Sequence, residues 1–317
     1  MSFFDVPKLQ DVRLVGEYRT VCNDMMSSNP SKNARLVAIA RFIEKHYLGI
    51  DPDIRVHEFS FRSHIHIPGF INNDTGYYRF YGSGSAKAVV VVPPRNTSYY
   101  NIARLIAAYL ASNGFNAYEI VTPLHQARLP DGARSVVGLP VDTKTLNLVS
   151  RQSVEEILGL VGLITEKCIG IVAVSQGTAY ATIARALDPK IASSVYIHGF
   201  GGLADILVHS RDRFARHFRN VEQKRNGTID QRVLAQALED VEPLNYVKKG
   251  DASTTFMVNA KNDEVLPENN VRNLWEALGN PEIKWFSIPG LDGHKYLAIR
   301  TKKILEMTLG HLQRTLK

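Results

Sequence analysis

The chain has 317 residues, a formal net charge of +7, and 44% hydrophobic and 22% charged residues. It can bury a full core as one large α/β domain or two smaller ones, and no low-complexity tract points to disorder. No apolar run approaches the roughly eighteen residues of a membrane helix, so no membrane span is expected.

The N-terminal stretch MSFFDVPKLQDVRL has no basic region followed by an apolar one, so it does not read as a signal peptide. Cys22 and Cys168 lie far apart, outside any CxxC or Cys/His spacing, which suggests neither a disulfide framework nor a zinc site. A reducing, cytoplasmic setting is expected. Basic residues are scattered except in HSRDRFARHFR, His209 to Arg219. With no nucleic-acid motif nearby, that cluster reads as a solvated helix face, or as a surface that draws acidic substrates by long-range attraction.

Residues 1–53 read as an N-terminal helical extension. Ser31 can cap a helix whose apolar positions Leu36, Ile39, Phe42, Ile43 and Tyr47 recur at three and four, ending near Gly49. From Ile54 to Tyr81 the period changes to two, in IRVHEFSF, HIHI and GYYRFYG, which predicts antiparallel edge strands. His57, His64 and His66 could share a face there, but no further ligand has suitable spacing, so no metal is expected.

Next come a strand at KAVVVV (Lys87–Val92), a helix over 98–112, a strand from Asn116 to Val121 and a helix over 146–167. This βα alternation calls for a mostly parallel sheet with right-handed crossovers. Ile169 to Val174 is a short apolar strand, and Ala179, Ile183, Ala186 and Leu187 mark a helix directly after it. Ile191 to His198 is the next strand. Residues from about 203 to 250 hold helical pattern only, and predict a helical insertion over the carboxyl ends of the strands. Strands at Thr254–Val258 and Ile283–Ile288, with helices at 268–278 and 296–316, complete the chain.

Between the strand Ile169–Val174 and its helix sits Ala173-Val174-Ser175-Gln176-Gly177. A serine at such a joint takes a strained turn that closes only with small residues two before and two after it. The turn lifts the Ser175 hydroxyl clear of the sheet and leaves the Gln176 N–H at a helix N-terminus, facing charge that develops beside the serine. This stretch resembles the nucleophile elbow of the α/β-hydrolase superfamily, G-x-S-x-G, with Ala173 in the first glycine position.

The resemblance covers about residues 54–317 and implies a single α/β-hydrolase domain with a helical cap. In that family an acid and a histidine follow the serine at later strand ends. Asp263 in NAKNDEVLP and His294 in PGLDGH stand there, in the order Ser175, Asp263, His294. Glu264 is the nearest rival acid, and Asp292 a weaker one. In that family a second oxyanion donor comes from the loop after the strand before the sheet's first helix, which the resemblance places at Pro93-Pro94-Arg95-Asn96 here. Proline has no N–H, so the donor is Arg95 or Asn96, beside Gln176. Arg95, His198 and Phe200 are candidate substrate-binding residues.

The implied activity is hydrolysis of a small-molecule carboxylic ester or thioester through an acyl-enzyme, without cofactor, metal or nucleic acid; a homodimer is a further expectation. Other readings stay open. They are acyl transfer on the same scaffold, ligand binding without catalysis, and nucleotide-dependent oxidoreduction at His198-Gly199-Phe200-Gly201-Gly202, where G-x-G-x-x-Ala follows a strand and opens a helix.

Overall fold

In a computed structural model, the described residues are 8–19, 43–51, 53–95, 102–247, 251–287 and 300–317. The strands are β1 (Gln10–Arg19), β2 (Arg55–Arg62), β3 (Thr75–Tyr81), β4 (Ala88–Val92), β5 (Asn116–Val121), β6 (Ile169–Val174), β7 (Ile191–Ile197), β8 (Thr255–Ala260) and β9 (Glu282–Phe286). They form one nine-stranded sheet in the order β1-β2-β3-β5-β4-β6-β7-β8-β9. Pairing is antiparallel from β1 through β3 to β5 and parallel from there to β9.

The helices are α1 (Ile102–Ser112), α2 (Thr143–Leu163), α3 (Gln176–Leu187), α4 (Leu203–His209), α5 (Arg213–Asn226), α6 (Gln231–Ala237), α7 (Glu268–Ala277) and α8 (Thr301–Thr315). The run AVVVV has no polar alternation because both faces of β4 are covered. Val89 and Val91 pack in one core with Ile106 of α1 and Leu305 of α8. Val90 and Val92 pack in a second core with Ile157 of α2, Ile183 of α3 and Leu274 of α7. A third core joins the insertion to the sheet domain, with Phe214, Phe218 and Leu234 against Ile67, Leu124 and Leu146.

Two local expectations are corrected. Residues 10–19, placed in a helical extension, form β1 and pair antiparallel with β2. Register shifts between Gln10 and Arg13 and between Leu14 and Gly16 break the period of two, so the strand leaves no alternation in the sequence. Most of the helix expected from Ser31 lies outside the described residues, and Ile43–Leu48 is a single π-helical turn.

His64–Ile67 is not a strand but part of a turn leading to a 3₁₀ segment at Ile71–Asp74. The three histidines take separate partners. His57 lies near Phe80, His64 Nε2 faces the Lys8 carbonyl, and His66 Nδ1 lies 2.8 Å from Asp74.

The loop after β5 is fastened by Arg128, which is wholly buried. Its guanidinium donates to Glu156 Oε2 at 2.6 Å and Oε1 at 2.8 Å, and to the Val121 and Asn73 carbonyls at 2.9 Å. A buried carboxylate left without its partner is costly. Arg128→Met is expected to lower the unfolding free energy by about 3–5 kcal/mol, measured by urea titration.

Candidate active site

The turn at Ser175 carries the strain that the sequence implies. Its φ of 50° and ψ of −122° lie outside the ordinary regions for an L-residue, at a cost of about 1–3 kcal/mol. Neighbours hold it there. The Ser175 N–H donates to the Ile197 carbonyl of β7 at 2.8 Å, and its carbonyl accepts from the Thr178 N–H at 2.8 Å and hydroxyl at 2.7 Å.

Gly177 explains the small residue after the serine. A Cβ there would lie 2.5 Å from the Pro93 carbonyl oxygen and 2.8 Å from that of Val92. Helix α3 therefore crosses the end of β4 at backbone contact. Ala173, by contrast, is fully buried between Val92 and Tyr196 in the sheet register, so a methyl at the first small position of the turn is accommodated in the core.

Gln176 opens α3, and its side chain donates to the Tyr180 hydroxyl at 2.5 Å. Burial pushes the Tyr180 phenol up to about 12, so it remains protonated. Arg95 projects toward the insertion. Its guanidinium donates to Asp212 Oδ2 at 2.6 Å and stands 4.1 Å above the Phe214 ring. Burial lowers the Arg95 pKa, and the Asp212 charge opposes that shift. Asp212 also accepts from the Phe214 N–H at 3.0 Å, capping α5. One carboxylate thus starts an insertion helix and clasps the loop after β4. Asn96 lies outside the described residues.

At the end of β8, Asp263 is divided between two tasks. Oδ1 accepts from the Val265 and Leu266 N–H groups at 2.8 and 2.9 Å, which sets the turn. Oδ2 lies 3.1 Å from Nδ1 of His198, at the end of β7, and these side chains are only 2% and 5% exposed. Glu264, the rival acid, is exposed. His294 and Asp292 lie outside the described residues. Phe200 is buried in the second core beside Leu266 and Val271.

Backbone strain gathers along this edge of the sheet. Leu124, Gln126, Ser175, His198 and Asn262 all have positive φ, and they stand just past the ends of β5, β6, β7 and β8. Such conformations persist where the surroundings over-determine them, commonly at functional sites.

The glycine turn has a structural occupant. Gly202 takes φ +80°, and a Cβ on Gly201 would lie 2.5 Å from Leu244. The Gly202 and Leu203 N–H groups donate to Glu242 Oε1 at 2.8 Å and Oε2 at 2.7 Å. Amides that a dinucleotide-binding turn would offer to a pyrophosphate are taken by this chain's own carboxylate. The sequence reading missed Glu242, because its partners lie forty residues away. It missed Asp212 too, although an aspartate just before an amphipathic run is a helix-start signal.

The sheet order, the parallel βα units and the serine turn together make an α/β-hydrolase fold. It is similar to acetyl xylan esterase from Paenibacillus sp. R4, with TM-score 0.53 and 16% identity over 87% of this chain and 95% of that one. Acetyl xylan esterase 1 from Thermoanaerobacterium sp. JW/SL YS485 gives 0.54 and 15%, over 80% and 83%. An esterase from Pyrococcus furiosus gives 0.54 and 13%, over 86% and 96%. No protein-family model and no curated protein matches the sequence.

Gly177→Ala is expected to destabilise the protein by about 1–3 kcal/mol, because a backbone carbonyl rather than a flexible side chain must yield; thermal unfolding checks this. His125, buried beside this loop, gives a pH dependence. Burial, helped by the Arg95 and Arg128 charges, lowers its pKa to about 4. The unfolded chain therefore binds a proton near pH 6.5 that the folded one refuses. Stability is unaffected by this group above that pH and falls as pH drops from about 6.5 towards 4, by about 3 kcal/mol if the fold holds. His125→Gln is expected to flatten that part of a stability–pH profile.

Proposed function

We propose that the chain is a serine hydrolase acting on small-molecule carboxylic esters or thioesters. The observation that carries this reading is the strained Ser175 turn at the β6–α3 joint, held open by the backbone contact at Gly177. Such strain has a chemical use when it presents a hydroxyl beside helix N–H donors.

In the proposed reaction the Ser175 hydroxyl attacks the ester carbonyl while His294 takes its proton. Asp263 fixes the tautomer of that histidine and stabilises its charge. The oxyanion receives hydrogen bonds from the Gln176 N–H and a second N–H of the loop at Arg95 or Asn96. Collapse expels the alcohol or thiol, which leaves with the proton from His294. Water then repeats the sequence on the acyl-enzyme and releases the carboxylic acid. His198, against the same carboxylate, limits the ways Asp263 can turn, and the clasp between Arg95 and Asp212 steadies the loop that supplies the second donor.

Intact mass after treatment with a fluorophosphonate tests the reading. A single adduct on the wild type that disappears in Ser175→Ala supports it, and no adduct on folded protein refutes it. Asp263→Asn is expected to reduce kcat for a short p-nitrophenyl ester by about 10⁴-fold, with thermal unfolding reporting whether the turn survives.

A further inference from the structure

We infer that the cleft between residues 133–139 and helix α5 binds a multivalent oxyanion of the phosphate class, carried by the substrate away from its scissile bond. This rests on the ester or thioester hydrolase reading above. The cleft has a volume of about 760 Å³, and Arg134, Ser135, Arg213, Arg216, His217 and Asn220 line it with no carboxylate among the lining residues. It lies within the range of small-molecule sites.

The placement of these charges opposes local helix energetics. Arg213, Arg216, His217 and Asn220 recur at i, i+3, i+4 and i+7, one face of α5, while Phe214, Ala215 and Phe218 are buried on the other. Two arginines in the first turns meet the positive end of the helix dipole and repel each other; the acid at this terminus, the N-cap Asp212, is shared with Arg95, and the first turn itself holds no acidic residue. A face evolved only for solvation would favour acids there.

Arg79, Arg95, Arg128 and Arg225 each face a carboxylate. Among the described residues, no ion pair is found for Arg134, Arg213 or Arg216. The His217 Nε2–H donates to the Leu139 carbonyl at 3.0 Å, which ties the two walls together.

Location links the cleft to the chemistry. Arg213 directly follows Asp212, whose carboxylate holds Arg95 of the candidate oxyanion loop. The cationic face of α5 therefore begins one residue from the carboxylate that clasps this loop. Three guanidinium forks with a hydroxyl and an amide suit several charged oxygens, whereas a monocarboxylate would use one fork.

The test uses the full chain carrying Ser175→Ala, titrated calorimetrically with pyrophosphate at low salt. Binding is expected, weakened at least about tenfold by Arg216→Glu or Arg134→Glu and by high salt. Absent binding, or binding unchanged by both substitutions, overturns the inference. With otherwise wild-type enzyme, an acyl-coenzyme A, which carries phosphates, is compared with the same acyl group on N-acetylcysteamine, which carries none. A lower KM for the first, lost in Arg216→Glu with the second unaffected, supports the assignment; equal KM values overturn it. Fluorophosphonate labelling reads Ser175 separately, so failure of the hydrolase reading and failure of the anion site are distinguished. Arg216→Gln serves if charge reversal disturbs folding.

Discussion

The structure depends on the place where α3 crosses the end of β4 at backbone distance. Gly177 sits so close to the Val92 and Pro93 carbonyls that no side chain fits between them. That contact fixes the helix over the sheet, and the chain must then turn sharply at Ser175 to enter it. The Ser175 N–H bond to Ile197 ties the same turn to β7. Strands β4, β6 and β7 therefore converge on one residue, and the strain there is borne by three neighbours of the parallel sheet.

From that point the carboxyl edge of the sheet is braced by charge as well as by packing. Asp263 sets its own turn with one oxygen and faces His198 with the other. Arg128 and Glu156 lock the loop after β5 to α2. Arg95 and Asp212 join the loop after β4 to the insertion. The Arg128–Glu156 and Arg95–Asp212 pairs are far less exposed than ordinary surface ion pairs, so removing one partner costs more than the pair itself contributes.

Much of the sheet was legible because its central strands are apolar on both faces and short, while α3 and its neighbours show helical spacing. The serine turn was legible for a local reason: every residue it needs lies within five positions. The N-terminal strand was not, since its register shifts erase alternation, and its hydrogen-bond partner β2 begins at Arg55. Glu242 and Asp212 were missed for a related reason. Their roles are defined by Gly202 and by Arg95, which folding rather than sequence brings near. His198 was marked as a site residue through the glycine turn that follows it, but its contact with Asp263 exists only once β7 and β8 are paired.

Glu242 also bears on how this scaffold could change. Its carboxylate fills the mouth of a glycine turn that already has the backbone of an anion receptor, with Gly202 left-handed and two N–H groups aimed the same way. The receptor is closed by an internal guest whose own segment, Pro243–Asn245, begins a 3₁₀ turn against it. A single loss of that carboxylate would leave two orphaned donors just past β7, next to the strand that leads into Ser175, a latent vacancy one substitution away from accepting an external anion.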